Sequence, residues 1–85
     1  MKPRKILETA LGSAANVSFV EMRKLVEAFG FRLSRVKGSH HIFVHTSVHE
    51  LVNLQNLKGK AKPYQVRQFL KLVEEYNLRL EDEQP

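Results

Sequence analysis

Residues 31–45 read FRLSRVKGSHHIFVH, and this stretch decides the fold. At its start, apolar Phe31 and Leu33 alternate with polar residues, which is the period of a half-buried strand. The dipeptide Gly38-Ser39 has the composition of a tight turn. From residue 40 to residue 45 the alternation resumes, although it does not show which face of the strand is covered. The stretch therefore predicts two antiparallel strands joined by a turn.

A helix is predicted immediately before this hairpin. Ser18 can cap its first turn, and Glu21, three residues later, completes a capping box. Gly30 can adopt the left-handed conformation that ends a helix. Between these signals, apolar residues recur at helical spacing and form one stripe. The stripe consists of Phe19, Met22, Leu25, Val26 and Phe29.

After the hairpin the sequence predicts a third strand and a last helix. Residues 46–49 are expected to form a loop and residues 51–54 a short strand. Pro63 suits the first position of a helix, because an amide hydrogen there would have no helical partner. Asn77 can end this helix, and Gln65 falls on its polar side. The apolar stripe of the helix is Val66, Phe69, Leu70, Val73 and Tyr76.

The predicted fold class is α+β, with a small three-stranded antiparallel sheet and two helices on one of its faces. We divide the chain into an N-terminal helix or arm at residues 1–17, an α-β-β-β-α domain at 18–79 and an acidic flexible tail at 80–85. Within the first segment, residues 3–11 have the spacing of a short helix. The second face of the sheet is expected to be free of helices.

The composition limits the classes of protein to which the chain can belong. It has 85 residues and no cysteine. This length suits one domain without a deep interior, so any site must be shallow. Without thiols, disulfides and thiolate metal sites are excluded, and a reducing cytoplasm is the expected location. No apolar run is long enough for a signal peptide or a membrane span, so no membrane partner is expected.

The positive charge is concentrated in one part of the chain. The formal net charge is +5, but residues 31–71 contain eight basic residues and a single acid, Glu50. The rest of the chain has six basic and eight acidic residues. A segment of one charge sign is typical of a surface that binds a polyanion, such as nucleic acid or an acidic protein.

Several of these residues occur in the pattern of a known family. The order Gly30-Phe31, then Arg35 and Lys37, then Gly38-Ser39-His40 before a hydrophobic strand resembles the HicA toxins of HicA-HicB toxin-antitoxin systems. The resemblance covers roughly residues 18–76. Many members carry a Val-Pro-x-His element in the third strand that is missing here, so the chain resembles a divergent branch of the family.

The resemblance implies both a fold and an activity. The fold would be similar to that of the double-stranded-RNA-binding domain, and the activity would be that of an endoribonuclease, an mRNA interferase. His40 is the catalytic residue by this resemblance, and a HicB-type antitoxin would hold the enzyme inactive. No cofactor and no metal are expected.

The chemistry of RNA cleavage suits the residue types around His40. RNA supplies its own nucleophile in the 2′-hydroxyl, so cleavage needs a group that takes this proton and positive charge that stabilises the phosphorane. An imidazole can accept and release protons near neutrality, which fits His40. Arg35 and Lys37 would balance the added negative charge. Gly38 gives backbone amides access to a phosphate, and Ser39 offers a hydroxyl donor.

A second basic cluster, Lys58, Lys60 and Lys62, precedes the last helix. It resembles the phosphate-contacting lysines at a helix start in double-stranded-RNA-binding domains, and helix N-termini themselves attract phosphate. We predict that the cluster binds the RNA backbone. Tyr64 could add a stacked base contact and Gln65 a hydrogen bond.

Two other functions stay open at the level of sequence. The same fold could bind RNA without cutting it, or the basic surface could serve as an adaptor for an acidic protein. His41 is predicted to face away from His40, because side chains alternate along a strand. A metal site is disfavoured, since Glu50 is the only acid near the four histidines and thiols are absent.

Overall fold

The computed structural model describes residues 1–81, which form three α-helices and a four-stranded sheet. The sheet is antiparallel, with its strands in the order β1-β2-β3-β4. The helices are α1 (Pro3–Gly12), α2 (Phe19–Ala28) and α3 (Pro63–Glu75), with a 3₁₀ turn at Ala14–Asn16. The strands are β1 (Arg32–Lys37), β2 (His40–His45), β3 (Val48–Leu57) and β4 (Lys60–Ala61). The predicted α+β class is confirmed, but the sheet has a fourth strand. Within residues 1–81, no helix has both the length and the apolar content needed to cross a membrane.

The two ends of α2 are fixed by the local interactions that the sequence predicts. The Glu21 amide donates to the Ser18 hydroxyl at 3.1 Å, and the Ser18 amide donates to the Glu21 carboxylate at 3.0 Å, which completes the capping box. At the other end Gly30 has a φ of +94°. The amide of Phe31 then bonds the carbonyl of Val26 at 3.4 Å, as in a Schellman motif. The chain therefore turns directly from α2 into β1.

Helix α3 ends in the same way with a residue other than glycine. It begins at Pro63, as predicted, and Asn77 takes a φ of +52° just beyond its last turn. The amide of Leu78 donates to the carbonyl of Val73 at 2.9 Å. Asparagine tolerates the left-handed region better than most residues, which explains why it can replace glycine here.

The predicted third strand was too short, and the fourth was missed. Strand β3 begins at Val48, so the expected loop at 46–49 is a turn that ends before that residue. His49 and Glu50 are exposed polar residues, and this pattern resembles a loop although the residues belong to a strand. Strand β4 has two residues, too few to show any periodicity, and it forms by pairing with Asn56 and Leu57.

The core lies between the helices and one face of the sheet. Phe43 and Leu54 from β2 and β3 have no exposed surface. The Phe69 ring of α3 packs edge to face against the Phe29 and Phe31 rings, each with 5.6 Å between ring centroids. Full burial of one such side chain contributes about 1.5–3 kcal/mol to folding, so these rings supply much of the stability. Both predicted helices therefore cover the same face.

The N-terminal segment is part of this core. The sequence left open whether residues 1–17 form a helix or an arm, and α1 shows a helix whose Ile6 and Ala10 side chains are 1 % and 2 % exposed. Near the other terminus Leu80 is also buried, at 2 % exposure. The rest of the predicted acidic tail, apart from the exposed Glu81, falls at 82–85, outside the described residues.

A hydrogen bond joins the N-terminal part of β3 to the C-terminal end of α3. The Tyr76 hydroxyl donates to the Glu50 carboxylate at 2.5 Å. This bond lowers the pKa of Glu50 below its ordinary value of 4.5, because it stabilises the charged carboxylate. The same bond raises the pKa of Tyr76, because loss of its proton would place two negative charges together.

We expect Tyr76→Phe to lower the free energy of unfolding at neutral pH and to lose this effect in acid. A carboxyl with a lowered folded-state pKa contributes its full stability above its unfolded value of 4.5, and the contribution disappears as the pH falls through the lower folded value. Urea unfolding of both proteins between pH 3 and pH 7 measures the difference. Tyr64→Phe is the control, because the Tyr64 hydroxyl contacts an amide. A Tyr76→Phe effect that stays constant down to pH 3 would contradict the assignment.

Candidate functional site

The turn between β1 and β2 places His40 beside Lys37. These two residues are direct cross-strand partners, so only Gly38 and Ser39 lie between the strands. Gly38 has a φ of +60°. A positive φ at the first of two turn residues is the pattern of a type II′ hairpin turn, which suits the twist of antiparallel strands. The Gly-Ser sequence therefore fixes where the histidine enters the sheet.

Alternation along β2 separates the histidines onto two faces. The His41 ring packs against Phe19 with 4.6 Å between centroids, and the His45 ring packs against Phe31 at 4.9 Å. Both therefore point towards the helices. His40 points to the opposite face, which no described element covers; we call it the open face. The prediction that His41 faces away from His40 is confirmed.

A β-bulge directs the basic side chains of β1 to the open face. Leu33 pairs with Phe43 and Arg35 pairs with Ile42, so Ser34 is an extra residue without a partner. With strict alternation from Leu33, Arg35 would point towards the helices. The extra residue reverses the alternation beyond it, which is a known effect of bulges next to functional sites. Arg35 and Lys37 therefore lie on the same face as His40.

These side chains surround a shallow concavity. It has a volume of about 330 Å³, is open to solvent and is lined by Arg35, Lys37, His40 and Ile42. His40 is half-buried within it, while Arg35 and Lys37 are exposed. An exposed guanidinium and an exposed ammonium beside an imidazole can bind a phosphate diester while the imidazole exchanges a proton with a nearby hydroxyl.

The His40 ring is held by a residue that sequence reasoning missed. Its Nδ1 lies 3.1 Å from Oδ1 of Asn53, which is thirteen residues away on β3. Gln55, directly opposite His40 in the sheet, donates from its side-chain amide to the Ser39 hydroxyl at 3.5 Å. Nothing local in the sequence signals these contacts, since they depend on how β3 is aligned with β2.

Within the second lysine cluster, Lys58 and Lys60 lie in another tight hairpin, and Lys62 directly precedes α3. Lys58 and Gly59 have φ values of +53° and +85°, the pattern of a type I′ turn, and Leu57 pairs with Lys60 across it. The Asn56 amide donates to the Ser39 carbonyl at 3.1 Å, so the two hairpin turns lie at the same end of the sheet.

The structure places the three lysines differently with respect to His40. Gln55 shares the open face with His40, and alternation along β3 places Leu57, two residues later, on the same face. Lys60 pairs with Leu57, so its side chain also lies on the open face. Lys62 is the residue before α3 and lies 5.9 Å from the Tyr64 ring centre. Lys58 is exposed at the turn itself. Lys60 is thus the member of the cluster that shares a face with His40.

Gln65 is buried, although the sequence pattern places it on the polar side of α3. It is 3 % exposed, and its side-chain carbonyl accepts the amide of Gln55 at 2.8 Å. The Gln65 side chain thus takes the place of a neighbouring strand beside β3 and provides an acceptor for the backbone amide of Gln55. Its predicted contact with RNA is therefore wrong, whereas Tyr64 is 48 % exposed at the start of α3.

Among residues 1–81, no three histidine, aspartate or glutamate side chains are grouped so that they could hold a metal ion. The His41 ring packs against Phe19, and the His45 ring packs against Phe31. Metal ligands therefore do not converge at the site that the structure describes.

Comparison with known families matches residues 20–74 to the family described as the HicA toxin of bacterial toxin-antitoxin. Neither the curated proteins nor the solved structures contain a match to this chain. The matched region runs from the first turn of α2 almost to the end of α3, and it contains the whole sheet, including His40, Arg35 and Lys37.

We expect Gly38→Ala to lower the free energy of unfolding by roughly 1–2 kcal/mol, because an L-residue at a φ of +60° is strained. Gly12→Ala is the matched control: an added Cβ meets no atom within 4 Å at either position, but only Gly38 has a positive φ. Urea unfolding should show Gly12→Ala to be neutral or stabilising. Equal effects of the two substitutions would rule out the turn geometry described above.

Proposed function

The chain belongs to the HicA toxin family of bacterial toxin-antitoxin systems, and from that premise we propose that it is an endoribonuclease that cleaves messenger RNA with His40 as its catalytic residue. One observation carries the proposal. The imidazole of His40 lies in a concavity on the open face, beside Arg35 and Lys37. A catalytic histidine must reach its substrate beside the groups that bind it, whereas the His41 ring packs against Phe19 on the face turned towards the helices.

The proposed reaction uses the nucleophile of the RNA itself. His40 takes the proton of a ribose 2′-hydroxyl through Nε2, and O2′ forms a bond to the adjacent phosphorus. The bond from phosphorus to O5′ of the next nucleotide breaks, and the leaving oxygen receives a proton from the imidazolium. The products are a 2′,3′-cyclic phosphate and a 5′-hydroxyl, and the histidine returns to its starting state. No redox partner or added nucleophile is needed for this balance.

The basic residues of the open face would stabilise the charge that develops on the phosphate. Arg35 and Lys37 line the same concavity as His40, and Lys37 is its direct cross-strand neighbour. Preorganised positive groups aimed at a developing charge are among the largest contributions to catalysis. The backbone at Gly38 is open, because no atom lies within 4 Å of an added Cβ, and Ser39 would donate its hydroxyl.

Lysines further along this end of the sheet would bind the RNA backbone next to the cleaved bond. Lys60 shares the open face, and Lys58 and Lys62 flank it in the chain. Phosphate contacts of this kind set the position and the affinity of RNA rather than the sequence that is read. We therefore assign cleavage to the β1–β2 turn and backbone binding to the β3–β4 hairpin.

The antitoxin would act by covering the same surface. A HicB-type partner with an acidic surface would bind the basic open face and keep RNA from reaching His40. RNA and antitoxin would then exclude each other. Because messenger RNA is translated in the cytoplasm, we place the action of the toxin there.

Replacing His40 by alanine should reduce RNA cleavage by at least about 100-fold, because the proton acceptor is lost. The assay incubates RNA with the purified protein in EDTA and identifies the new ends as 2′,3′-cyclic phosphate and 5′-hydroxyl. His49→Ala is the control, since His49 is exposed on β3 and does not line the concavity. If folded His40→Ala protein cuts as fast as wild type, catalysis by His40 is excluded and a non-cutting RNA-binding module becomes the better description.

Lys60→Ala and Lys37→Ala should each weaken RNA binding and flatten its dependence on salt. Each phosphate contact that is removed lowers the slope of log K against log salt by about 0.7–0.9. Binding is measured with a 2′-O-methyl RNA, which lacks the nucleophile and cannot be cleaved. Lys24→Ala, exposed on α2, serves as the control and should leave the slope unchanged. An adaptor that binds only acidic proteins would show no salt-dependent RNA affinity in wild type.

A further inference from the structure

We infer that Asn53 is a positioning residue, whose side-chain carbonyl holds the His40 ring so that its Nε2 presents a free lone pair to the substrate. This inference rests on the proposed function, and it adds the residue that determines which nitrogen of the His40 ring carries the hydrogen. Nothing in the sequence pattern or in the family match singles out Asn53.

The geometry places Asn53 beside His40 on the open face. Asn53 pairs directly with Ile42, and His40 pairs with Gln55, so Asn53 and His40 are diagonal neighbours on adjacent strands. Diagonal neighbours are within reach of longer side chains. The distance from Oδ1 of Asn53 to Nδ1 of His40 is 3.1 Å, which is a normal hydrogen-bond length. Both side chains are half-buried.

The chemistry of the amide decides which ring nitrogen carries the proton. A carbonyl oxygen only accepts hydrogen bonds, so the bond to Asn53 requires a hydrogen on Nδ1 of His40. In the neutral ring Nε2 then has no hydrogen and is the basic nitrogen. This is the arrangement that a general base needs, and it follows the logic of catalytic triads, in which a third group orients the imidazole.

The other β2 histidines are held differently, which makes the role of Asn53 distinctive. His41 bonds the Ser39 carbonyl through Nδ1 at 3.1 Å, and Nδ1 of His45 accepts the Ser47 amide at 3.0 Å, so both use backbone groups. Both rings also pack against a phenylalanine. Within residues 1–81 His40 has no such aromatic neighbour and no backbone partner for its ring. Its orientation therefore depends on a side chain that mutation can remove.

The experiment compares three variants in the full chain. Asn53→Leu keeps a similar volume and removes the acceptor, whereas Asn53→Asp keeps an acceptor and adds a negative charge. Gln55→Leu is the matched control, because it removes an amide from the residue opposite His40 without touching the bond to the ring. Urea unfolding confirms that each variant is folded.

Two kinds of readout separate positioning from a merely structural role. We expect Asn53→Leu to lower kcat for RNA cleavage by about 10- to 100-fold with little change in KM, as for residues that orient metal-bound histidines. Ring ¹⁵N shifts of His40 should show the hydrogen on Nδ1 in wild type and in Gln55→Leu, and a mixture of tautomers in Asn53→Leu. Asn53→Asp should retain most activity, and the acid limb of its pH profile should move to higher pH, because a carboxylate stabilises the imidazolium.

The outcomes distinguish this inference from the function on which it rests. If His40→Ala abolishes cleavage but Asn53→Leu keeps the wild-type kcat and the wild-type ring tautomer, the role of Asn53 is refuted and the proposed function stands. If wild type cleaves no RNA, the proposed function fails and the catalytic role of Asn53 fails with it. In that case an unchanged tautomer in Asn53→Leu would also refute the control of the ring by Asn53.

Discussion

The complete burial of the Phe43 side chain is the constraint on which the rest of the sheet depends. Phe43 lies between Leu33 and Val52 in the neighbouring strands, and all three side chains face the helices. Because side chains alternate along a strand, a slip by one residue would move every β2 side chain to the wrong face. The position of one apolar ring therefore determines that His41 faces the helices and that His40 faces the open side of the sheet.

This constraint divides the three histidines of the six-residue strand β2 between the two faces of the sheet. His41 and His45 lie on either side of Phe43 on the face turned towards the helices. The His41 ring packs against Phe19 in α2, and the His45 ring packs against Phe31, just after α2. Their proximity in sequence to His40 therefore does not place them on the same face of the sheet. His40 lies beside Arg35 and Lys37 on the open face, whereas the rings of His41 and His45 pack against phenylalanines.

The features that the sequence predicts well are those fixed by neighbouring residues. The capping box at Ser18, the left-handed helix ends at Gly30 and Asn77, and the turn at Gly38-Ser39 depend on a few consecutive residues, and all are present. The family pattern around His40 is equally local, and it pointed to the residue that lies in the concavity. Local backbone chemistry thus accounts for the helix ends and for the candidate catalytic position.

The features that were missed depend on how distant strands align. The Asn53 contact requires the alignment of β2 with β3, which shifts again beyond Phe43 where β3 contains extra residues. The bulge at Ser34 also depends on strand alignment, because it appears only in the pairing of β1 with β2, where Leu33 lies opposite Phe43 and Arg35 opposite Ile42. Gln65 looked like a surface residue because its partner, the backbone of Gln55, belongs to a strand whose edge could not be located from sequence.

The packing of the two chain ends shows that the family region and the folding unit differ in extent. The matched residues are 20–74, yet Ile6, Ala10 and Leu80 outside them are almost completely buried in the same core. A fragment trimmed to the family limits would expose the apolar surface that these side chains cover and would also lack Ser18, the cap of α2. Residues beyond the recognisable region thus complete the hydrophobic interior, and evolutionary resemblance alone is a poor guide to where this domain can be cut.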